Sequence, residues 1–151
     1  MKGARVLISA FALVLLLAGT ATAQCRVFST GVDFGTYDVF DPVPTDSVGL
    51  IVVWCTQRAN VTVAIGPSPN SGGFNPRSMK HVSAAYLLNY NLYTDRNRTQ
   101  IWGDGTAGTS TVTTRVNRIF PRLLRVYGRI PPAQDVLIGT YTETLVVTIT
   151  W

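Results

Sequence analysis

Apolar and polar positions alternate along several short stretches of this chain, and the longest such stretch is YTETLVVTITW, residues 141–151. An alternation with period two predicts a β-strand that buries one face. The apolar face carries Tyr141, Leu145, Val147, Ile149 and Trp151. The opposite face consists mostly of threonines. A strand of this kind offers backbone edges that proteins usually cover, so we interpret it as a candidate binding edge.

Other stretches predict further strands, separated by loops. The continuous apolar run LIVVWC, residues 50–55, is typical of a central strand buried on both faces. Additional strands are predicted over residues 32–37, 61–65 and 86–93. The segments 66–76 and 102–110 are rich in Gly, Pro, Ser and Asn and predict loops. The order of these elements predicts an all-β fold, a single antiparallel β-sandwich.

One arginine-rich stretch is compatible with two structures. Its arginines recur at spacings of three and four, which resembles a helical stripe: Arg115, Arg118, Arg122, Arg125 and Arg129. Pro121 lies in the middle and would break or kink a helix. We therefore favour two extended segments around Pro121, with the arginines on a solvated surface. A basic face for nucleic acid or anionic polysaccharide is the alternative.

The beginning of the chain predicts export. Lys2 and Arg5 precede an apolar run over residues 6–18, and Ala21-Thr22-Ala23 forms a small-x-small cleavage site. Residues 1–23 are therefore predicted to be a secretory signal peptide, and residues 24–151 to form one domain. A membrane span needs about 20 apolar residues, and a lipoprotein signal would place a small residue at position 24. We expect no stable membrane anchor.

Charge and cysteine content narrow the class of protein further. Without Lys2 and Arg5, 11 of the 13 basic residues remain against 8 acidic ones, a net charge of +3. On an exported chain this mild charge indicates solubility, or at most attraction to anionic surfaces, and argues against a nucleic-acid partner. Cys25 and Cys55 would oxidise outside the cytoplasm. A disulfide closing a loop of about 30 residues contributes on the order of 3 to 4 kcal/mol; a metal site using His81 is the alternative.

No constellation of catalytic residues stands in the sequence. His81 is the only histidine, and no nucleophile motif accompanies it. Asp104 in WGDGT resembles part of a calcium loop but lacks the repeated oxygen ligands. A tight turn, with Gly103 and Gly105 at positive φ, is the favoured interpretation. We expect a protein that is not an enzyme and that uses no metal and no cofactor.

Six motifs in order carry a resemblance to a known family. They are VDFGTYD (32–38), LIVVWC (50–55), LNYNLYTD (88–95), IWGDGT (101–106), VYGRIP (126–131) and GTYTETLVVTITW (139–151). Together with the cysteine pair, they resemble the spore coat protein U domain. That domain is shared with subunits of Csu-type pili, the archaic branch of the bacterial chaperone-usher system. The resemblance covers essentially all of residues 24–151.

The resemblance implies an immunoglobulin-like sandwich that lacks its last strand. The 141–151 strand would then border an open groove, with the apolar side chains of its inner face lining the groove. In such pilins a periplasmic chaperone fills the groove first, and the N-terminal extension of the next subunit later replaces it. The partners implied are this chaperone, an outer-membrane usher and other pilin subunits. A chaperone could also hold the terminal carboxylate in a charge-assisted bond.

One feature departs from the family pattern. Subunits that polymerise carry a donor segment ahead of the first cysteine, whereas cleavage after Ala23 would leave only Gln24 before Cys25. Such a chain could accept a strand without donating one, a role that fits the tip of a fibre. Tip adhesins of the family usually add a receptor-binding domain, for which residues 24–151 leave no room.

Three functions follow as hypotheses. The first is an exported, pilin-like structural subunit that passes through the periplasm to the cell surface and serves adhesion or biofilm formation. The second is a stand-alone secreted spore-coat or matrix protein. The third is a small binding module for carbohydrate or another surface ligand, using loop aromatics such as Phe74 or Trp102. We favour core or interface packing for Trp102 and Tyr127.

Overall fold

The computed structural model describes residues 23–151. The predicted secretory signal, residues 1–23, lies almost wholly outside these described residues. Between residues 23 and 151 the chain forms strands and no helix. The strands are β1 (Cys25–Gly31), β2 (Thr45–Cys55), β3 (Ala59–Ile65), β4 (Arg77–His81), β5 (Leu87–Tyr93), β6 (Val112–Val116), β7 (Arg122–Ile130), β8 (Tyr141–Thr142) and β9 (Val147–Thr150). The same residues contain no helical stretch that could serve as a membrane span.

The strands pair in two sheets, and every pairing is antiparallel. The larger sheet has six strands in the order β1-β2-β7-β5-β4-β8, and the smaller has three in the order β6-β3-β9. The all-β, antiparallel fold predicted from the period-two patterns is confirmed. The loop predicted over residues 66–76 is also confirmed, since it joins β3 to β4 without regular structure.

The core lies between the two sheets, and its residues are the alternate apolar positions of the strands. Val61, Val63 and Ile65 of β3 are buried, as are Leu88, Tyr90 and Leu92 of β5. Trp102 is 1% exposed, and its indole N–H donates to the Val63 carbonyl at 3.0 Å. Core packing of Trp102 is therefore confirmed, and its use as an exposed contact for a ligand is wrong.

The two cysteines form the predicted disulfide. Cys25 and Cys55 are bonded and lie opposite each other in the β1–β2 pairing, with a Cα–Cα distance of 4.1 Å. The bond therefore attaches the edge strand β1 to the second strand of the larger sheet. The described residues contain no free cysteine, so the alternative of a cysteine metal site is wrong.

The segment 32–37, predicted as a strand, has no regular pairing. Gly31, just before the segment, and Gly35, within it, adopt positive φ values of 74° and 66°, which turn the chain at both positions. The Asp33 carboxylate accepts the Gly35 N–H at 2.9 Å and closes a local turn. The strand at this part of the chain is β1, which precedes the segment. Val32 and Phe34 still pack against the core.

The apolar run 50–55 lies in a central strand, but the expectation that both of its faces are buried is wrong. Ile51, Val53 and Cys55 are buried, whereas Trp54 is 38% exposed and Leu50 and Val52 are half-buried. The inner side chains face the smaller sheet. The outer side chains have no second layer over them among the described residues, so the apolar residues on that face stay accessible.

The arginine-rich stretch forms two extended segments, as favoured. Arg115 belongs to β6 in the smaller sheet, and Arg122, Arg125 and Arg129 belong to β7 in the larger one. The connection through Pro121 passes from one sheet to the other. The apparent helical spacing is thus produced by two strands and a turn.

Residues 141–151 do not form the single strand that their alternation predicts. β8 pairs with β4 in the larger sheet, and β9 pairs with β3 in the smaller one. Residues 143–146 cross between the sheets, and the Val146 carbonyl accepts the Gly66 N–H at 2.8 Å. Side chains still alternate between inward and outward through the crossing. The threonines are exposed, and Tyr141, Leu145, Val147 and Ile149 are half-buried.

Candidate functional site

Two sheet edges face each other on one side of the sandwich. In residues 23–151, β1 pairs only with β2 and β9 pairs only with β3, so each has an outer edge without a partner strand. β1 and β9 come into contact with each other. The Trp151 indole N–H donates to the Ala23 carbonyl at 2.6 Å and joins the two strands at one end. An unpaired backbone edge is a template for another strand.

An apolar groove opens between these edges into the core. Its volume is about 180 Å³. Its lining includes Ser29 and Gly31 of β1 and Leu145 and Val147 of the final segment. The core side chains Ile51, Leu92 and Val126 also line it. The sandwich is therefore open to solvent where two sheet edges approach without pairing, and we name this feature the edge groove.

The residues predicted to line a groove occupy different places. Leu145 and Val147 line the edge groove, and Ile149 packs against the core beside them. Tyr141 lies at the other end of the crossing segment and lines a second cavity. Trp151 is 54% exposed and contacts Ala23. Their role in binding a strand stays a prediction.

The second cavity has a volume of about 720 Å³ and lies between the segments 32–40 and 136–141. It shares Val32, Phe34 and Met79 with the edge groove, so the two openings adjoin. The Tyr141 ring meets the His81 ring edge-on, with 5.1 Å between centroids, and its hydroxyl donates to the Leu137 carbonyl at 2.7 Å. The opening in the core thus extends beyond the edge groove.

Glu143 is a polar residue of the edge groove that was not predicted from the sequence. Its carboxylate accepts hydrogen bonds from Ser68 Oγ at 2.5 Å, Asn70 Nδ2 at 3.0 Å and the Tyr90 hydroxyl at 2.5 Å. Burial, reinforced by the bond to Glu143, raises the pKa of Tyr90. The one signal in the sequence is parity, because Glu143 has the same parity as Tyr141 and Leu145 and so points inward.

Arg77, the first residue of β4, is a fully buried cation. Its guanidinium donates to the Trp102 carbonyl at 2.7 Å, to the Gly66 carbonyl at 3.1 Å and to Asn91 Oδ1 at 2.9 Å. Removal from water lowers the pKa of Arg77. These bonds hold the loop 66–76 against the core, and Phe74 of that loop packs 5.3 Å from the guanidinium carbon. Phe74 is therefore half-buried.

The remaining candidate ligands serve local structure. The Asp104 carboxylate accepts the Thr106 N–H at 2.8 Å and the Thr106 hydroxyl at 2.6 Å, which confirms a tight turn. Gly105 has the expected positive φ, of 91°, while the expectation of a positive φ at Gly103 is wrong. Gly103 instead lies close to the Thr109 side chain. Nowhere in residues 23–151 do three His, Cys, Asp or Glu side chains cluster as metal ligands would.

Comparison with known proteins identifies relatives. The profile of the Spore Coat Protein U domain matches residues 11–148. Protein U of Myxococcus xanthus is 33% identical over 132 residues, which cover 79% of this chain and 70% of that protein.

A solved structure resembles the fold. It is the crystal structure of the CsuC-CsuE chaperone-tip adhesion subunit pre-assembly complex from archaic chaperone-usher Csu pili of Acinetobacter baumannii. The TM-score is 0.58 at 19% identity, and the match covers 86% of this chain and 40% of that chain. This likeness shows a common sandwich fold, and the match spans less than half of that longer chain.

Proposed function

This chain belongs to the Spore Coat Protein U domain family, and from that premise we propose that it is an exported, non-enzymatic pilin-like subunit completed by a β-strand from another protein. The proposal takes residues 1–23 as the secretory signal and 24–151 as the sandwich domain. One observation carries it: the unpaired edges of β1 and β9 flank an apolar opening into the core.

An incoming strand would satisfy both the backbone and the side chains at this site. Its N–H and C=O groups would pair with β1 on one side and β9 on the other, and alternate side chains would enter the edge groove. Each large apolar side chain buried there contributes about 1.5 to 3 kcal/mol. Four such contacts total roughly 6 to 12 kcal/mol, comparable with the 5 to 15 kcal/mol that stabilises a typical domain.

The partners proposed are a periplasmic chaperone, an outer-membrane usher and other pilin subunits. The likeness in fold to a solved complex of a chaperone and a tip adhesion subunit supports this assignment. Residence on a pilus at the cell surface, with a part in adhesion or biofilm formation, follows from the same proposal. The second candidate function is a stand-alone coat or matrix protein, and the spore coat name of the family supports it.

Two neighbouring substitutions on β9 test the groove. Val147 lines the edge groove, whereas the Thr148 side chain is exposed on the opposite face. Val147→Asp would bury a carboxylate against an incoming strand and should abolish co-purification with a chaperone on co-expression in a periplasm. Thr148→Asp should leave capture within about twofold. If the chaperone captured the Val147→Asp variant as well as the wild type, the proposed role of the edge groove would be contradicted.

A second measurement separates the two candidate functions. The chain is exported to a periplasm alone and with a candidate chaperone, and its yield and unfolding are compared. A subunit that needs a donated strand should be degraded or aggregated when it is alone. A monomer that unfolds cooperatively without any partner would overturn the proposal and favour the stand-alone coat protein.

A further inference from the structure

Positive charge is concentrated at one end of the sandwich. The segments 23–31, 51–64, 111–126 and 147–151 contain no Asp or Glu. Strand register brings the first three together, because Cys25 pairs with Cys55, Ala59 with Val116 and Val53 with Arg122. We define the arginine pole as Arg26, Arg58, Arg115, Arg118 and Arg122.

No arginine of this pole has a carboxylate partner in the described part of the chain. The ion pairs there join Asp46 to Arg98 and to Arg129, near the opposite end of β2 and β7. The pole arginines thus form no ion pair among the described residues. Clustered cations of one sign attract an anionic surface and are screened by salt.

An apolar turn projects from the middle of the arginine pole. Ile119 and Phe120, in the connection between β6 and β7, are 76% and 69% exposed. The Asn117 side-chain oxygen accepts the Ile119 N–H at 3.1 Å and the Phe120 N–H at 2.8 Å, so the turn has a defined shape. Arg118 and Arg122 flank the two apolar residues in sequence.

Further apolar side chains lie on the outer face of the larger sheet. Phe28, Val52 and Leu123 lie directly across from one another on β1, β2 and β7. Phe28 and Leu123 are exposed. Trp54 follows on the same face, opposite Arg26. Contiguous apolar area of this kind on a monomer usually marks a binding surface.

We propose that the arginine pole and the Ile119–Phe120 turn dock reversibly onto an anionic lipid bilayer. Guanidinium groups bind lipid phosphates through paired charge-assisted hydrogen bonds. Projecting apolar side chains enter the boundary between headgroups and acyl chains. The exposed apolar side chains of Ile119 and Phe120 gain free energy by leaving water for acyl chains, which an anionic polysaccharide does not offer, so a bilayer matches this surface better.

This docking is independent of the proposed strand acceptance. The edge groove includes none of the pole arginines and neither residue of the apolar turn. A chain that fails to bind a chaperone could still bind lipid, and the reverse also holds. The two proposals therefore fail separately.

Vesicle co-sedimentation of the purified exported chain tests the docking. Vesicles of phosphatidylglycerol and phosphatidylcholine in equal parts should bind the protein, and phosphatidylcholine alone should not. Each arginine near such a surface changes affinity by about fivefold, so Arg118→Gln/Arg122→Gln should weaken binding roughly 25-fold. Ile119→Ser/Phe120→Ser should weaken it at least about tenfold, by loss of apolar insertion.

Matched controls lie elsewhere on the surface. Arg96 and Ile138 are exposed residues outside the pole, and Arg96→Gln and Ile138→Ser should leave vesicle binding unchanged. Far-UV circular dichroism checks that each variant is folded. A Phe120→Trp variant gives an independent readout, because brominated acyl chains should quench its fluorescence more strongly than that of the wild type, whose three tryptophans give the background.

Several outcomes would overturn the docking. They are equal binding to neutral vesicles, undiminished binding by the Ile119→Ser/Phe120→Ser variant, quenching in Phe120→Trp no stronger than in the wild type, and binding to soluble anionic polysaccharide in place of vesicles. Strong loss of binding in raised salt, together with quenching at Phe120→Trp, would support it.

Discussion

The Tyr90 hydroxyl donates a 2.5 Å hydrogen bond to Glu143, and this bond joins the segment that crosses between the sheets to the middle of the larger sheet. Ser68 and Asn70 bond the other carboxylate oxygen and bring the loop 66–76 to the same point. Glu143 also lines the edge groove. Its carboxylate therefore holds the crossing segment, β5 and the loop 66–76 together beside the groove.

Loss of this carboxylate should destabilise the domain. Glu143→Ala leaves Ser68, Asn70 and Tyr90 without their shared acceptor, and each unpaired buried group costs about 1 to 3 kcal/mol. With partial access of water to the groove, we expect the free energy of unfolding to fall by about 2 to 4 kcal/mol. Denaturant titration measures it. Thr144→Ala, at the exposed neighbouring position, should change it by less than about 0.5 kcal/mol.

Reduction of the disulfide should weaken the sandwich where strand pairing is already incomplete. Cys25→Ser/Cys55→Ser removes the link between β1 and β2. A closed loop with a sequence separation of 30 corresponds to roughly 3 to 4 kcal/mol. The melting temperature of the variant should match that of the wild type measured with a reductant. An unchanged melting temperature in both would contradict a stabilising role.

Stability should decline in acid partly through Asp46. The hydrogen bond from Arg129, with the nearby charge of Arg98, lowers the pKa of Asp46. Its contribution is therefore complete above the unfolded-state pKa, about 3.9, and is lost as pH falls through the lower folded-state pKa.

Melting temperature against pH measures this dependence. Asp46→Asn should lower the melting temperature at neutral pH and flatten its fall below about pH 4. The effect is small, about 1 kcal/mol or less, because the pair is partly exposed. Asp135→Asn removes a carboxylate that forms no ion pair in the described residues and serves as the control. Parallel curves for the wild type and Asp46→Asn would contradict the linkage.

Close backbone packing at Gly49 should make that position intolerant of a side chain. A Cβ there would collide with the Gly31 carbonyl, where the β1–β2 register shifts between Ser29 and Gly31. Because the obstacle is backbone, Gly49→Ala should cost at least about 2 kcal/mol. Gly73→Ala, with open space at its Cβ, should be nearly neutral. Chemical denaturation of both variants provides the comparison.

The alternation of apolar and polar residues was sufficient to assign side chains to the two faces of a strand. It could not assign strands to sheets. The inward residues of β3 and β5 are those that the alternation indicates. The stretch 141–151 also keeps its parity, yet its two ends pair with β4 and β3 in different sheets. Local alternation contains no information about which distant strand is the partner, so the crossing at residues 143–146 could not be predicted.

The sequence by itself determined the all-β class, the cysteine pair, the interruption at Pro121 and the faces on which the side chains of residues 141–151 lie. These features depend on local backbone preferences and on side-chain chemistry, which neighbouring residues specify. Only the tertiary structure decided that β1 and β9 face each other unpaired, that Glu143 bonds Tyr90 across the groove, and that five arginines gather at one pole. Those features depend on contacts between residues far apart in the chain, which form when the two sheets pack.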